Sequence, residues 1–547
     1  MKKNTGLSSL WTGTNKIDWK LLVFLLLFLH VKLLVKLVAV MLIYLLRPGF
    51  KFGFHFNNSK LPLFYPVIIG IAMLNWLLHG QLKNMNYNLV LASGILSWLL
   101  CILAMQQVKL AVQENDPEVV HRTILVFFLL NALVSLAIYA GIVWETGAVN
   151  PYRYQGDFQK YFIGTGDYIK GISFDTSTTN AVLNAFGVIY FLSGNKYLPA
   201  ILCMAILLLT GSNITSFLLC LTLLFIFFFR SNRDQKSIIV VCLLMLVVFF
   251  VKVSPQNNTY VTTAYQRIFN KQPKQKQSDV AKIPVTQRPD SILSVRERKE
   301  KIAQLYMDSV NMALYEKKQA GIIAAANNTL PVIQLSMKPV IPVANIHTAT
   351  FQHRDDTSQV EKKLLQFVAQ NNKAVPVAAH KTIKPKLPGK LIALQQTWRY
   401  MQQYPLDLVT GTGIGNFSSK LAFRVTAMKI TGNYPERYAY LNPAFESNHL
   451  DLHLFYFTSK EEMHSIANSP NNTYDQLLAE YGLAGICAFV FLYIGFFVRQ
   501  IKRYSYGIPL LLFMLGIFFV DYWFEQLSVV VFFELLLLLN IKELKQR

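Results

Sequence analysis

The sequence predicts an all-α polytopic membrane protein of about twelve transmembrane helices, with a large periplasmic loop domain before the last three. Three observations predict this class. Of the 547 residues, 53% are hydrophobic and only 15% are charged, whereas soluble domains carry roughly 25% charged residues. Long apolar runs recur along the chain, and the net charge is +23. This composition excludes a disordered chain, a fibrous protein and an ordinary soluble enzyme.

The apolar runs define the predicted spans, since a membrane-crossing helix needs about 20 residues. They lie at about 20–46, 62–79, 88–105, 122–143, 178–195, 197–210, 213–229, 237–252, 475–497, 506–521 and 524–540. The stretch 197–229 is too long for one span, and Gly211-Ser212-Asn213 interrupts it. We therefore expect two short helices that meet at a polar turn, which a membrane tolerates only under cover of protein or in a water-filled cavity.

The short loops fix the predicted orientation, because Lys and Arg accumulate on the cytoplasmic side. The basic residues concerned are Lys2, Lys3, Lys16, Lys20, Arg230, Arg233, Lys236, Arg499, Lys502, Arg503, Lys542, Lys545 and Arg547. Placing them in the cytoplasm puts both termini inside the cell and the segment 253–474 outside the membrane. The loop 144–177 then also lies outside.

The run 20–46 must begin and end on the cytoplasmic side, because the basic loop 47–61 follows it. It predicts two short passes or a re-entrant hairpin, with a turn near His30-Val31-Lys32. One long helix with an external N-terminus is the competing interpretation. Lys32 and Lys36 either extend their ammonium groups to the membrane surface or contact a lipid phosphate.

The chain divides into four predicted parts. These are an N-terminal transmembrane bundle (1–252), a basic and partly flexible periplasmic insert (253–389), a periplasmic motif region (390–474) and C-terminal transmembrane helices (475–547). Within them, 270–290 predicts a linker, 291–319 an amphipathic helix and 390–404 a helix that contains Trp398. The basic charge outside the membrane indicates a solvated surface, contact with anionic headgroups or an anionic substrate.

The usual metal and cofactor motifs are missing. The chain has no HExxH sequence and no Cys/His ligand set, so we expect no metal and no cofactor. The run Gly411-Thr-Gly-Ile-Gly415 lacks the third glycine of a dinucleotide fingerprint, because Asn416 fills that position. It predicts either a tight turn or a nest of backbone N–H groups for a phosphate.

Polar residues gather where the chain re-enters the membrane. They are Lys420, Arg424, Tyr434, Asn448, His449, His464, Asn468, Asn471, Asn472, Tyr474 and Glu480. Cations, imidazoles and amides at a membrane surface suit a lipid with a charged head. Each also has an ordinary explanation: interfacial histidines, an aromatic-belt tyrosine, or an acid that accepts an interhelical hydrogen bond. An earlier loop offers Arg153 and Lys170 for a phosphate, next to residues that helix capping explains.

Two ordered blocks carry a family resemblance. Trp398…Pro405…Gly411-Thr-Gly-Ile-Gly-Asn-Phe417 is followed by Asn472-Thr-Tyr…Leu478-Ala-Glu-Tyr-Gly-Leu-Ala-Gly485. They resemble the O-antigen ligase and O-antigen polymerase superfamily, and Thr210-Gly-Ser-Asn213 is similar to its Thr-Gly-Ser-Arg break. The run His464-Ser-Ile-Ala-Asn-Ser-Pro470 looks like a subgroup from Bacteroidetes-like Gram-negative bacteria. The motifs cover about 390–490, and the N-terminal half fits by topology.

The resemblance implies an inverting, metal-independent glycosyltransferase of lipopolysaccharide or polysaccharide biosynthesis. Such an enzyme moves a glycan from undecaprenyl diphosphate to an acceptor hydroxyl. The acceptor is lipid A-core for a ligase and a lipid-linked glycan for a polymerase. A non-catalytic component of glycan transport or export is the alternative from another class. The expected partners are these lipids and the membrane, with no nucleic acid.

Three positions depart from the family pattern: Asn213, Leu394 and Asn471 stand where the family has two arginines and a histidine. We therefore assign their roles to neighbouring residues, with His464 as the base. The predicted catalytic residues are His464, Arg424, Asn471 and Asn472. The predicted substrate- and diphosphate-binding residues are Arg399, Lys420, Asn448, His449, Tyr474, Asn213, Gly413, Gly415 and Lys170. The predicted structural residues are Glu480 and Trp398.

Overall fold

The computed structural model describes residues 17–55, 59–153, 166–254, 388–427, 434–450, 452–453, 456, 469–501 and 505–546. Within these ranges the chain forms helices and no strand, which confirms the all-α prediction. The helices are α1 (Trp19–Phe28), α2 (Leu33–Leu46), α3 (Phe64–Leu78), α4 (Met85–Glu114), α5 (Pro117–Thr146), α6 (Ser177–Ser193), α7 (Tyr197–Leu209), α8 (Asn213–Phe229), α9 (Arg233–Val248), α10 (Gly389–Gln403), α11 (Pro405–Thr410), α12 (Lys420–Arg424), α13 (Pro443–Asn448), α14 (Thr473–Ala488), α15 (Gly507–Ile517), α16 (Trp523–Gln526) and α17 (Ser528–Gln546).

Four of the described helical segments are long and apolar enough to cross a membrane: α4, α5, α9 with its extension to Val253, and α14 with its extension to Val498. Six shorter apolar helices accompany them, namely α1, α2, α3, α7, α8 and α15. The protein is therefore of the helical membrane type. The total of twelve spans and the periplasmic position of the long segment stay predictions.

The core lies around α6 and α17. Every residue from 177 to 192 and from 528 to 541 is buried. A helix that is buried all round is surrounded by other helices rather than by solvent or lipid. The long α4 packs along α17, and α5 packs against α7.

The run 20–46 forms a hairpin of two helices. Asp18, just before α1, pairs with Arg47, just after α2, at 3.0 Å, and the Lys20 ammonium donates to the carbonyl of Leu46. The chain therefore returns to the side from which it came, and the break at 29–32 lies where the sequence predicts a turn. At a rise of about 1.5 Å per residue, 10 and 14 residues fall short of the roughly 30 Å hydrocarbon core. The presence of two helices excludes the competing interpretation of one long helix over this run.

The break in 197–229 is also confirmed. Helix α7 ends at Leu209 and α8 begins at Asn213. The Thr210 and Ser212 hydroxyls have partners in the adjoining turns of α7 and α8. The Ser212 and Thr215 hydroxyls lie 2.8 Å apart, and the Thr210 hydroxyl donates to the carbonyl of Leu207. Farther along, α10 confirms the helix expected at 390–404. The predicted linker at 270–290 and amphipathic helix at 291–319 lie outside the described residues.

Helix α14 has a kink at Gly482 that fixes the position of the segment 411–419. Gly482 has φ 65° and ψ −164°, a combination that essentially only glycine adopts. The carbonyls just before the kink, on Ala479 and Glu480, accept hydrogen bonds from the backbone N–H groups of Thr412 (2.9 Å) and Gly413 (3.1 Å). The buried segment 411–419, which we call the glycine loop, is thereby bonded to the kink.

The backbones of the glycine loop and of α14 approach so closely that neither Gly411 nor Gly482 can carry a side chain. A Cβ on Gly482 would overlap the carbonyl of Val409, and a Cβ on Gly411 would overlap the backbone of Glu480. Helix α3 is bonded to the same loop, because the side-chain amide of Asn75 donates to the carbonyls of Thr410 (3.0 Å) and Gly411. Helix α3, the glycine loop and α14 therefore form one bonded unit.

We expect Gly482→Ala to destabilise the protein strongly. The alanine would have to adopt a glycine-only backbone conformation, which costs about 1–3 kcal/mol, and its methyl group would push Val409 away. Thermal unfolding of the purified protein in detergent measures the effect. Gly70→Ala on α3 is the matched control, because its new methyl group meets no atom within 4 Å. Equal melting temperatures for the two variants would contradict the role of the kink.

Candidate functional site

A cavity of about 120 Å³ lies between the α1–α2 hairpin, α4, the glycine loop with α12, and the segment that follows α15. Its lining residues are Val31, Leu33, Lys36, Gly94, Ser97, Trp98, Asp175, Ile414, Lys420, Leu421, Arg424, Gln476, Tyr481, Phe524, Glu525 and Gln526. Three of these side chains are cationic and two are carboxylates. Elements that are far apart in the sequence thus meet at one polar cavity.

Two of the cations come from α12. Lys420 and Arg424 are four residues apart, so they share one face of this short helix. The helix starts directly after the glycine loop, and the Ser419 hydroxyl caps it by accepting from the N–H of Ala422 at 3.0 Å. The docking of the loop on α14 therefore determines where both cations lie.

The third cation is Lys36 of α2. Its buried ammonium donates to the carbonyl of Phe28 at 2.7 Å and to the hydroxyl of Ser528 at 2.8 Å. It also lies 5.2 Å from the centre of the Phe28 ring. An ammonium has three N–H donors, so one remains for a ligand in the cavity. This buried position does not fit the interpretation in which the Lys36 ammonium extends to a surface.

Glu525 is a carboxylate that lines the cavity beside α12. It accepts hydrogen bonds from the side chain of Gln476 and from the backbone N–H of Lys420, both at 2.9 Å. Burial raises the pKa of Glu525 to about 7, although Arg424 and Lys420 oppose that rise. At neutral pH this carboxyl group therefore exists in both protonation states.

Asp521 links the cavity to Asn471. Its carboxylate lies 3.5 Å from the Lys420 ammonium and accepts from the Asn471 side chain at 3.0 Å. Burial acts to raise the pKa of Asp521, but Lys420 and Lys390 outweigh it and hold that pKa below its usual value. The Asp521 carboxylate thus lies between Lys420 and Asn471, which is one of the residues predicted as catalytic.

Lys390 links three segments of the chain beside Asp521 and Asn471. Its fully buried ammonium donates to the hydroxyl of Ser469 (3.1 Å) and to the carbonyls of Asn471 and Val520 (2.6 Å). Burial lowers the pKa of Lys390 to about 7. The start of α10, the segment before α14 and the segment after α15 are therefore fixed to one another.

Asn472 and Tyr474 have contacts that position α14. Asn472 is buried and caps the helix, because its side-chain oxygen accepts from the N–H of Tyr474 at 3.0 Å. The Tyr474 hydroxyl donates to the carbonyl of Leu515 at 2.6 Å, which ties α14 to α15. Neither residue lines the cavity.

Glu480 and the glycine loop bind each other. The Glu480 carboxylate accepts from the Ser419 hydroxyl at 2.6 Å, and the N–H of Phe417 points to it at 3.5 Å. The N–H of Gly413 is already bonded to α14, and Gly415 (φ +71°) packs against Val90 of α4. These contacts fit the structural role predicted for Glu480, and they favour a tight turn over an open phosphate nest.

His449 lies in a closed cluster. Its ring is fully buried, with Nε2 at 3.3 Å from the hydroxyl of Ser418, which donates to Asp475 at 2.6 Å. The ring of His453 is 5.1 Å away. Burial lowers the pKa of His449 to about 3, so the imidazole is neutral and cannot attract a diphosphate as a cation. The neighbouring Asn448 donates to the carbonyl of Ala444 within α13.

The other predicted site residues lie apart from the cavity. Arg399 and Trp398 are exposed on α10, with 51% of Trp398 accessible. Lys170 is half-buried before α6, and Asn213 is the first residue of α8. The proposed base His464 lies outside the described residues. Of the predicted binding and catalytic residues, the structure places Lys420 and Arg424 in the cavity, with Asn471 adjoining them.

Sequence reasoning missed Glu525, Gln476, Trp98 and Asp175 as site residues. A signal for Glu525 was present, because it is an acid within the apolar run 524–540. An acidic residue in an otherwise apolar segment marks a functional candidate. Gln476 and Trp98 carry no such signal, since helices contain both residue types for ordinary packing.

No family model, no curated protein and no solved structure matches this chain. The chemistry of the cavity therefore follows from its own residues.

We expect acid to destabilise the protein through His449. An unfolded histidine titrates near 6.5 and the buried one near 3, so below pH 6.5 the unfolded chain binds a proton that the folded protein excludes. Between about pH 6 and 4 this costs about 1.4 kcal/mol of unfolding free energy per pH unit. Melting temperatures across this range should fall less steeply in His449→Phe than in the wild type. A slope in His449→Phe equal to that of the wild type would contradict the prediction.

Proposed function

We propose that this protein is an inverting, metal-independent glycosyltransferase of a bacterial inner membrane. It transfers a glycan from undecaprenyl diphosphate to an acceptor hydroxyl, and we favour lipid A-core as that acceptor. The observation that carries the proposal is the cavity in which Lys36, Lys420 and Arg424 converge between a membrane hairpin and the extramembrane motif region.

The charge of the cavity suits a diphosphate leaving group. When the bond between the sugar and the diphosphate breaks, negative charge develops on the departing oxygens. Prearranged cations stabilise that charge without reorganising, which is often the largest single contribution to catalysis. Arg424 offers a planar, bidentate fork for phosphate oxygens, and the two lysines add point charges. Asp521 holds Lys420 in place.

The size and position of the cavity suit the head of a lipid. Pockets that enclose a whole drug-sized ligand measure roughly 300–1,000 Å³, so about 120 Å³ accommodates a diphosphate and leaves the glycan outside. Lys36 projects from α2, whose Leu34 and Leu45 are 71% and 81% exposed. Such apolar surface on a membrane helix contacts lipid, so the polyprenyl chain can lie along α2 while its head enters the cavity.

The superfamily resemblance supports the same proposal. Its two motif blocks are about 60 residues apart in the sequence, and they meet at the kink of α14. The cavity lies directly beside that junction, because Ile414 comes from one block and Tyr481 from the other.

We expect Arg424→Gln to reduce glycan transfer by about 10²–10³-fold, the usual cost of removing one charge-stabilising donor. The assay is complementation of a deletion strain, read by electrophoresis of lipopolysaccharide. Arg437→Gln is the matched control, because Arg437 is an exposed arginine of the same extramembrane region that stacks on Tyr438 outside the cavity. Full transfer by Arg424→Gln would exclude the proposed diphosphate site.

The deletion strain itself separates ligation from polymerisation. Loss of all long chains with accumulation of lipid-linked polymer is the result expected for a ligase. Core carrying single repeats would instead identify a polymerase. An unchanged lipopolysaccharide pattern with unchanged lipid-linked glycans would contradict both.

A further inference from the structure

The carboxylate of Glu525 faces the same cavity as the three cations. It belongs to α16, a four-residue helix between α15 and α17. Three of its acceptor positions are occupied, by the side chain of Gln476 and by the N–H groups of Lys420 and Leu421. A carboxylate has about four lone-pair positions, so one remains for a hydrogen-bond donor in the cavity.

Other described carboxylates around the glycine loop and α14 make contacts of their own. Asp521 pairs with Lys420, accepts from Asn471 and does not line the cavity. Glu480 is enclosed by the glycine loop and does not line the cavity. Asp475 is enclosed by Ser418. Asp175, which does line the cavity, accepts from the Thr179 hydroxyl at the start of α6 at 2.9 Å. Glu525 is therefore the described carboxylate that lies beside both α12 cations and opens onto the cavity.

The segment that carries Glu525 is held rigidly. The Trp523 indole donates to the carbonyl of Ile517 at 2.6 Å, and the Trp523 N–H donates to the Thr473 hydroxyl at 3.2 Å. Two residues after Glu525, the fully buried Leu527 has φ 69° and ψ −40°, a strained conformation for a residue with a side chain. Strain of about 1–3 kcal/mol persists where the surrounding structure demands it, and it clusters at functional sites.

We infer that Glu525 is the general base of the proposed transfer and deprotonates the acceptor hydroxyl. This assignment rests on the proposed function and gives Glu525 the role first assigned to His464. The acceptor O–H proton moves to the Glu525 carboxylate while the acceptor oxygen bonds to the anomeric carbon. The bond from that carbon to the diphosphate oxygen breaks, and its electron pair stays on the diphosphate. The carboxylate becomes neutral, and the diphosphate gains one negative charge beside Lys36, Lys420 and Arg424.

The charges around the cavity couple the base to the donor. The charged and titratable groups that face Glu525 are Lys420 and Arg424 of α12, Glu480 and Tyr481 of α14, Tyr522 beside it, and Lys36 and Asp175 across the cavity. Arg424 and Lys420 favour the charged form of the Glu525 carboxylate. A bound diphosphate offsets those cations, so the carboxylate becomes a stronger base when the donor is present.

The test compares wild type, Glu525→Gln, Glu525→Asp and His464→Ala as purified full-length proteins in nanodiscs. Membranes from the deletion strain supply the native donor and acceptor, and transfer is measured from pH 5.5 to 8.5. At limiting donor the rate reports the free enzyme, in which Glu525 must be ionised to act, so wild-type transfer should then rise with pH up to about 7 and level off. Calorimetric titration with inorganic pyrophosphate reports separately on the cation site.

We expect Glu525→Gln to lower transfer by about 10²–10⁴-fold, to lose the inflection near pH 7 and to bind pyrophosphate about as tightly as wild type. Glu525→Asp should keep part of the transfer and the inflection. His464→Ala should keep most of the transfer. Glu446→Gln is the matched control, because it makes the same change on α13, away from the cavity, and it should behave as wild type.

Three results would overturn the assignment. Near-normal transfer by Glu525→Gln with loss in His464→Ala would return the role of base to His464. Loss of both transfer and pyrophosphate binding in Glu525→Gln would make Glu525 a residue that positions Lys420. Absence of transfer by the wild type would reject the proposed function and the assignment with it.

Discussion

The arrangement of this protein depends on two backbone hydrogen bonds between the glycine loop and the kink in α14. A kink in a helix leaves backbone carbonyl groups without their partners within the helix. The N–H groups of Thr412 and Gly413 supply the missing donors. Because Gly411 and Gly482 have no side chains, the two backbones can approach closely enough to bond. The glycine loop is thereby attached to α14, which is long and apolar enough to cross a membrane.

The polar cavity follows from that attachment. Helix α12 begins where the glycine loop ends, so Lys420 and Arg424 are placed by the bonded kink rather than by their own short helix. Their charges are balanced by Asp521 and Glu525 from the segment after α15. The third cation, Lys36, comes from the hairpin near the N-terminus. A reaction that creates negative charge on a lipid head benefits from this arrangement, since the cations are already in position.

Local signals made several elements predictable. Glycine and asparagine interrupt the apolar run at 211–213, and histidine and lysine interrupt the run at 30–32; the structure breaks both helices there. The helix α10 was also predictable from its own residues. The roles of single polar residues were less accessible. Histidine and asparagine are common in ligand sites, yet His449 and Asn472 are both buried in the structure, and Asn472 caps a helix.

The sequence by itself determined the membrane class, the helix breaks and the concentration of polar groups between Lys420 and Glu480, because these depend on composition and on residues close in the chain. Only the tertiary structure decided which polar groups share a cavity. Lys36 and Glu525 are separated by nearly the whole chain, and their meeting depends on how the hairpin, α4 and α16 pack. Whether a histidine stays neutral or an acid titrates near pH 7 is likewise set by burial and by neighbouring charges, which long-range packing creates.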